Sequence, residues 1–256
     1  MDPTNPLDAF RLDDRVVVVT GASSGLGVGF ARALAGVGAH LVLGARRVDR
    51  LSAVADDLRE LGADVLARAT DVASPEACRA LVDAAVERFG RVDVLVNNAG
   101  VATVTPASRE SPESFRGVLE VNLQGAFSMA QACARVMPPG SAVVNVASVL
   151  GMVAPRFPQA SYAASKAGLI GLTRDLAQQW SSRKGIRVNA LCPGFFASEM
   201  TAEGEDVIRD MVARNSMLGR LGEQRELDTA LLFLASPASS YVTGTTLVVD
   251  GGLTAL

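Results

Sequence analysis

The feature that most constrains this chain is a repeated alternation. From residue 15 onward, short apolar runs of strand length alternate with longer stretches whose apolar positions follow the period of a helix. Strands are expected at residues 15–20, 40–44, 64–69, 92–96, 142–147, 187–191 and 246–250. Helices are expected at 24–36, 48–61, 75–89, 112–137, 159–182 and 223–234, with Gly or Asp at most of the joints. Seven strands alternating with helices imply right-handed crossovers and a parallel sheet covered on both faces. Only residues 198–221, rich in Met and charge, break the rhythm, and they are expected to form a flap at the carboxyl edge of the sheet. The whole of 1–256 is expected to be one α/β domain with a short extension at 1–14.

Composition excludes several classes. The chain is 49% hydrophobic and 20% charged with a formal net charge of −3, which argues against disorder and against a nucleic-acid partner. The three cysteines, Cys78, Cys133 and Cys192, are odd in number and far apart, which fits neither a disulfide framework nor a zinc site and suggests a reducing compartment. His40 is the only histidine, so no His-rich metal site can be built, and no metal is expected. No apolar run approaches the ~20 residues that span a bilayer, and residues 1–14 lack the basic start and apolar centre of a secretory signal. A cytoplasmic protein without a membrane partner is the expectation.

The first strand runs into Thr20-Gly21-Ala22-Ser23-Ser24-Gly25-Leu26-Gly27 and then directly into a helical pattern. Glycines let the backbone approach a pyrophosphate, and the helix N-terminus offers unpaired N–H groups and a positive dipole end. The spacing is G-x-x-x-G-x-G. In NAD-binding folds the second strand commonly ends in an acid that takes the adenine ribose hydroxyls. Here it ends Leu43-Gly44-Ala45-Arg46-Arg47, which places two guanidinium groups where a 2′-phosphate would lie and favours NADP.

Tyr162 and Lys166 are four apart in a helical pattern and so share a face. An unperturbed phenol titrates near pH ~10, and a neighbouring ammonium stabilises its anion. The placement is informative because the chain has only two lysines, Lys166 and Lys184, and only two tyrosines. Ser148 follows the fifth strand, at the sheet edge where open α/β folds bind ligands.

Taken together, these residues resemble the short-chain dehydrogenases/reductases in their common form of about 250 residues. The resemblance runs from about Arg15 to Gly252. It implies a single Rossmann-type doubly wound domain with a seven-stranded parallel sheet. In that reading Thr20–Gly27 is similar to the family's cofactor loop, with Gly21, Ser23, Ser24, Gly25, Leu26 and Gly27 on the cofactor. Asp71 and Val72 resemble its adenine contact, and Asn97-Asn98-Ala99-Gly100 its sheet-stabilising and cofactor-lining turn. Asn122, Ser148, Tyr162 and Lys166 match its catalytic tetrad, and Pro193, Gly194, Phe196 and Ser198 the segment at the nicotinamide. Asp250-Gly251-Gly252 matches its C-terminal signature.

The resemblance implies roles. Ser148 and Tyr162 would bond the substrate carbonyl, with Tyr162 as proton donor and the nicotinamide as hydride donor. Lys166 would lower the phenol's pKa and bind the ribose, and Asn122 would hold a water linking Lys166 to solvent. It also implies a homotetramer built from the long helices and the C-terminal strand.

Leu150, Met152, Val153, Phe157, Phe195, Phe196, Met200, Met211 and Met217 are expected over the site, which suggests an apolar ketone or secondary alcohol as substrate. One rival is reduction of a 3-oxoacyl group on acyl carrier protein. For that rival Arg135 matches a docking position and Gln178 occupies the other. A rival of another class is a catalytically silent NADP-binding scaffold or sensor.

Overall fold

The computed structural model describes residues 5–154, 157–196 and 205–255. Its strands are β1 (Val16–Thr20), β2 (His40–Ala45), β3 (Val65–Ala69), β4 (Val94–Asn97), β5 (Ala142–Val146), β6 (Arg187–Pro193) and β7 (Thr246–Val249). They form one sheet in the order β3-β2-β1-β4-β5-β6-β7, and every pairing is parallel. The helices are α1 (Leu26–Gly36), α2 (Val48–Glu60), α3 (Pro75–Phe89), α4 (Pro112–Leu119), α5 (Gly125–Cys133), α6 (Ala160–Lys184), α7 (Glu205–Asn215) and α8 (Gln224–Ala235).

The unbroken valine run of β1 reflects burial on both sides. Val17 and Val19 pack with Leu34, Leu51, Leu227 and Leu231 on one face, and Val16 and Val18 pack with Leu81, Val82, Met129 and Leu176 on the other. A strand with both faces covered needs no polar alternation. Helix starts follow local chemistry. Ser74 accepts from Ala77 N at 3.2 Å with Pro75 behind it, and Ser111 accepts from Ser114 N at 3.1 Å with Pro112 behind it. Fixed proline φ and a hydroxyl cap both favour a helix beginning there.

Three expectations need adjustment. The first helix begins at Leu26, two residues late, because Gly25 takes φ 54°. The fourth strand covers 94–97, two residues later at its start than expected, and reaches Asn97. The helix expected across 112–137 is interrupted by a π-helical turn at Glu120–Gln124 and ends at Cys133, short of Pro138. Such a turn inserts one residue into the helical ladder and often marks a functional position; Asn122 lies within it.

The strand order reverses between β1 and β4. At such a switch point the two halves of the sheet diverge, and a crevice opens at the carboxyl ends of the strands.

Candidate active site

A cleft of about 860 Å³ occupies that crevice. It runs from the β2 end, at Ala45, Arg46 and Arg47, past the glycine-rich turn to the ends of β5 and β6. Of the residues assigned to cofactor or chemistry from the sequence, Gly21, Ser23, Ser24, Gly25, Leu26, Asp71, Val72, Asn98, Ala99, Gly100, Ser148, Tyr162, Lys166, Pro193, Gly194 and Phe196 all line it. Gly27 and Asn122 stand behind the wall, and Ser198 lies outside the described residues.

The turn after β1 is shaped by close backbone approach. Gly21 has φ 67°, and a Cβ there would come within 2.8 Å of Ala99 Cα; at Gly27 it would lie 2.4 Å from Gly21 O. Thr20 fastens the two turns together, since its Oγ1 accepts from Asn98 N and Ala99 N, each at 3.1 Å. The Asn98 amide returns to Thr20 O at 3.0 Å. No side chain caps α1, so the N–H groups of its first turn face the cleft without a side-chain acceptor. A phosphate fits that cradle in both charge and room.

At the adenosine end, Arg47 donates to Ser23 Oγ at 3.4 Å and to Ser24 Oγ. Arg46 is exposed on the rim and makes no ion pair or hydrogen bond to described residues. Asp71 is exposed and accepts from Ala73 N, whereas Val72 is buried.

The reactive groups gather where β5 ends. Ser148 is extended (φ −170°) and accepts from Leu150 N at 3.1 Å, so a short 3-10 turn, Val149–Gly151, follows it. That turn lies directly on α6: a Cβ on Gly151 would be 2.6 Å from the Lys166 carbonyl carbon. The absence of that side chain sets Ser148 beside the helix face that carries Tyr162 and Lys166. Lys166 is buried and donates to Val146 O at 2.7 Å, with its Nζ 5.6 Å from the centre of the Tyr162 ring.

Burial dominates the electrostatics. It lowers the Lys166 amine to about 8 and pushes the Tyr162 phenol above its usual range, the latter opposed by the Ser148 hydroxyl. Desolvation disfavours the charged form of each, and the group that opposes the rise of the phenol is Ser148 and not Lys166. A phenol held protonated suits a proton donor. Cys192, buried in β6 near Lys166, is raised to about 11 by the same cause.

The Asn122 side chain is fully engaged as a brace. It exchanges two hydrogen bonds with Val101, at 2.8 and 2.9 Å, and donates to Ser165 Oγ at 3.0 Å. Ser165 Oγ in turn donates to Tyr162 O at 2.7 Å. Asn97 extends the bracing under the sheet, donating to Ala126 O and to Asn145 Oδ1.

The apolar residues expected over the site divide. Leu150, Phe157, Phe195 and Phe196 line the cleft, and Phe196 is fixed by a bridge to Gly222. Met152, Val153, Met211 and Met217 do not line it. The turn after α7 bonds to the C-terminal loop instead, through Leu218 N to Gly251 O at 3.0 Å, and Met217 abuts Gly252. Met200 and the first part of the expected flap fall outside the described residues. Sequence reasoning missed Ala102, Val104 and Gln159 in the wall; they belong to no spaced motif, and only the fold brings them there. All three cysteines are buried and unpaired. Among the described residues no group of three or more potential ligands could hold a metal ion, and no helix is long and apolar enough to cross a membrane.

Known proteins are similar to this chain in both sequence and fold. A protein-family model described as enoyl-(acyl carrier protein) reductase matches residues 21–254. Galactitol 2-dehydrogenase (L-tagatose-forming) of Cereibacter sphaeroides is 44% identical over 96% of this chain and 97% of its own length. A 3-oxoacyl-(acyl-carrier-protein) reductase of Vibrio cholerae is 38% identical over 95% of this chain and 98% of its own. Among solved structures, a short-chain type dehydrogenase/reductase from Mycobacterium marinum superposes with a TM-score of 0.94 at 33% identity, covering 98% of this chain and all of its own. A gluconate 5-dehydrogenase from Burkholderia cenocepacia, in complex with NADP and tartrate, gives 0.92 at 36% identity with the same coverage. With these likenesses running almost end to end, the chain is a member of the short-chain dehydrogenase/reductase family, a nicotinamide-dependent oxidoreductase.

Proposed function

We propose that the protein transfers a hydride between NADP(H) and a ketone or secondary alcohol. The observation that carries this reading is the convergence of Ser148, Tyr162 and buried Lys166 at the end of β5, inside a cleft whose other end is a phosphate cradle. When bound, the nicotinamide supplies or accepts the hydride. The chain's own groups do the rest. Ser148 and Tyr162 donate to the substrate oxygen, and Tyr162 passes its proton to that oxygen as negative charge develops there. Lys166 would stabilise the resulting phenolate and bond the ribose, and Asn122 would hold a water linking Lys166 to solvent, through its main chain because its side chain is taken up by Val101 and Ser165. In the oxidative direction the same proton moves the other way.

Arg46 and Arg47 at the rim support NADP over NAD, because a guanidinium pairs with a 2′-phosphate and no carboxylate ends β2 to hold a bare hydroxyl. Ser198 would join Pro193 and Gly194 at the carboxamide, with residues 198–221 as the flap. Exposed Phe127 and Val136, and Met217, Leu218 and Tyr241 near the C-terminal strand, support a homotetramer. Three free thiols favour a reducing, cytoplasmic setting.

The wall from Leu150 to Phe196 supports a substrate with an apolar body. One observation favours a more oxygenated one: Gln159 Oε1 is buried with no hydrogen-bond partner among the described residues. A buried acceptor left unpaired costs about 1–3 kcal/mol, and a substrate hydroxyl beside the carbonyl would satisfy it. That agrees with the polyol and sugar-acid activities named for two relatives. The acyl-carrier reading has exposed Arg135 in its favour, but Gln178, also exposed, brings no charge to the second position. A panel of simple ketones, hydroxyketones, polyols and 3-oxoacyl thioesters, followed by NADPH absorbance, separates these. Tight cofactor binding without turnover of any of them would instead mean a silent cofactor-binding protein.

A further inference from the structure

Glu110 lies in the loop between β4 and α4, and its carboxylate reaches the helix that carries Tyr162 and Lys166. Its Oε1 accepts from Thr103 Oγ1 at 2.9 Å and from Ser161 Oγ at 2.5 Å, and the two hydroxyls lie 3.1 Å apart. Ser161 is fully buried and immediately precedes Tyr162. Thr103 stands between Ala102 and Val104, which line the cleft. One carboxylate oxygen therefore joins the cleft wall to the backbone of the tyrosine.

A second observation points the same way. The 25-residue helix α6 has no side-chain cap on Gln159 and no acid in its first turn. A long helix left this way presents unsatisfied N–H groups and an uncompensated positive dipole end. Glu110, from another segment, supplies negative charge beside that first turn. Main-chain contacts run alongside: Thr105 N donates to Pro158 O at 2.9 Å, and Thr105 forms an isolated bridge with Gln159.

The loop is tied at its other end as well. Val101 is held by Asn122, Asn122 bonds Ser165, and Ser165 Oγ donates to Tyr162 O. Tyr162 is thus flanked by two ties to the same loop, one through Ser165 and one through Ser161. Between those ties the loop contributes Val101, Ala102 and Val104 to the cleft.

We propose that Glu110 is a positioning residue, whose carboxylate fixes the spacing between the Tyr162 phenol and the facing wall of the substrate cleft. This rests on the hydride-transfer reading above, in which the phenol must meet the substrate oxygen. A general acid displaced by a fraction of an ångström loses contacts made only in the transition state, so the effect falls on turnover and not on cofactor binding.

The test compares Glu110→Ala and Glu110→Gln with wild type at saturating NADPH. Glu110→Ala is expected to lower kcat about tenfold or more while the NADPH dissociation constant stays within twofold. Glu110→Gln keeps an oxygen acceptor at the same reach but not the charge beside the helix, and is expected to recover part of that loss. Hydrogen exchange, which needs no turnover, is expected to speed up in Glu110→Ala at residues 101–105 and 160–163. A kcat within twofold of wild type in Glu110→Ala overturns the proposal. So does a loss of kcat that Glu110→Gln shares in full, or one matched by an equal loss of NADPH affinity. If Glu110→Ala does not fold, Thr103→Val removes one of the two hydroxyls and is read by the same criteria. If wild type reduces no ketone, the functional reading fails. Exchange then judges the tie alone, and unchanged rates in both segments overturn it.

Discussion

Lys166 Nζ donates to the main-chain oxygen of Val146 at 2.7 Å and stands 5.6 Å from the centre of the Tyr162 ring, so a buried amine at the end of β5 faces the phenol one helical turn away. Backbone and side chain together fix that pair. Helix α6 sets the spacing, and the β5 carbonyl sets the direction in which the amine points.

Burying that amine is costly, and the cost depends on pH. Its pKa is about 8 in the folded protein against an ordinary 10.5. Between those values the unfolded chain holds more protons than the folded one, so the sign of the linkage is that stability rises with pH from about 8 to 10.5, with the full penalty present below 8. The penalty is on the order of 3 kcal/mol, worth several degrees of melting temperature for a chain of this size. Lys166→Met removes the titration. The melting temperature of wild type minus that of Lys166→Met should climb between pH 8 and pH 10; a flat difference would show that the amine is not desolvated as described.

Cofactor choice should reside at the end of β2. A hydrogen bond to a charged group contributes about 1.5–3 kcal/mol, so loss of the Arg46 contact should weaken NADPH by roughly ten- to a hundredfold. The double change Ala45→Asp with Arg46→Leu should reverse the preference, because a carboxylate accepts from the ribose hydroxyl and repels a phosphate. Steady-state kinetics with NADPH and NADH decide it. An NADH preference in wild type, or an unaltered ratio in the variant, would leave Arg46 as a solvated side chain at a helix start.

Much of the architecture was legible because periodicity reports burial. The run Val16–Val19 reads as a strand covered on both sides, and its residues do divide between the two core clusters. The glycine-rich turn, Ser148, Tyr162 and Lys166 were legible because their chemistry demands particular residue types at particular spacings. The π-helical turn around Asn122 was not, since one extra residue in a helical ladder leaves the hydrophobic pattern nearly unchanged. The tie from Glu110 to Ser161, 51 positions apart, has no local signature. Met217 was misplaced for a related reason: composition identified it as apolar, but the Leu218 N to Gly251 O bond and its contact with Gly252 hold its turn against the C-terminal loop.

Gln159 offers a reading of substrate class. Gln159→Leu fills the same space without an acceptor, so turnover of a hydroxyketone should fall about tenfold or more relative to an unsubstituted ketone of similar size. Competition between the two substrates measures this directly, and an unchanged ratio would assign the orphaned Oε1 to solvent.

The central claim is that Tyr162 donates the proton during hydride transfer from NADPH. It is tested most directly by single-turnover reduction of a reactive ketone by wild type and Tyr162→Phe, each pre-loaded with NADPH. The ring of the variant still packs, so its NADPH dissociation constant should stay within twofold. A general acid contributes roughly 10²–10⁴-fold, so its rate of NADPH oxidation should fall by that factor. A variant that binds NADPH and oxidises it at the wild-type rate, with chemistry limiting, would contradict the account.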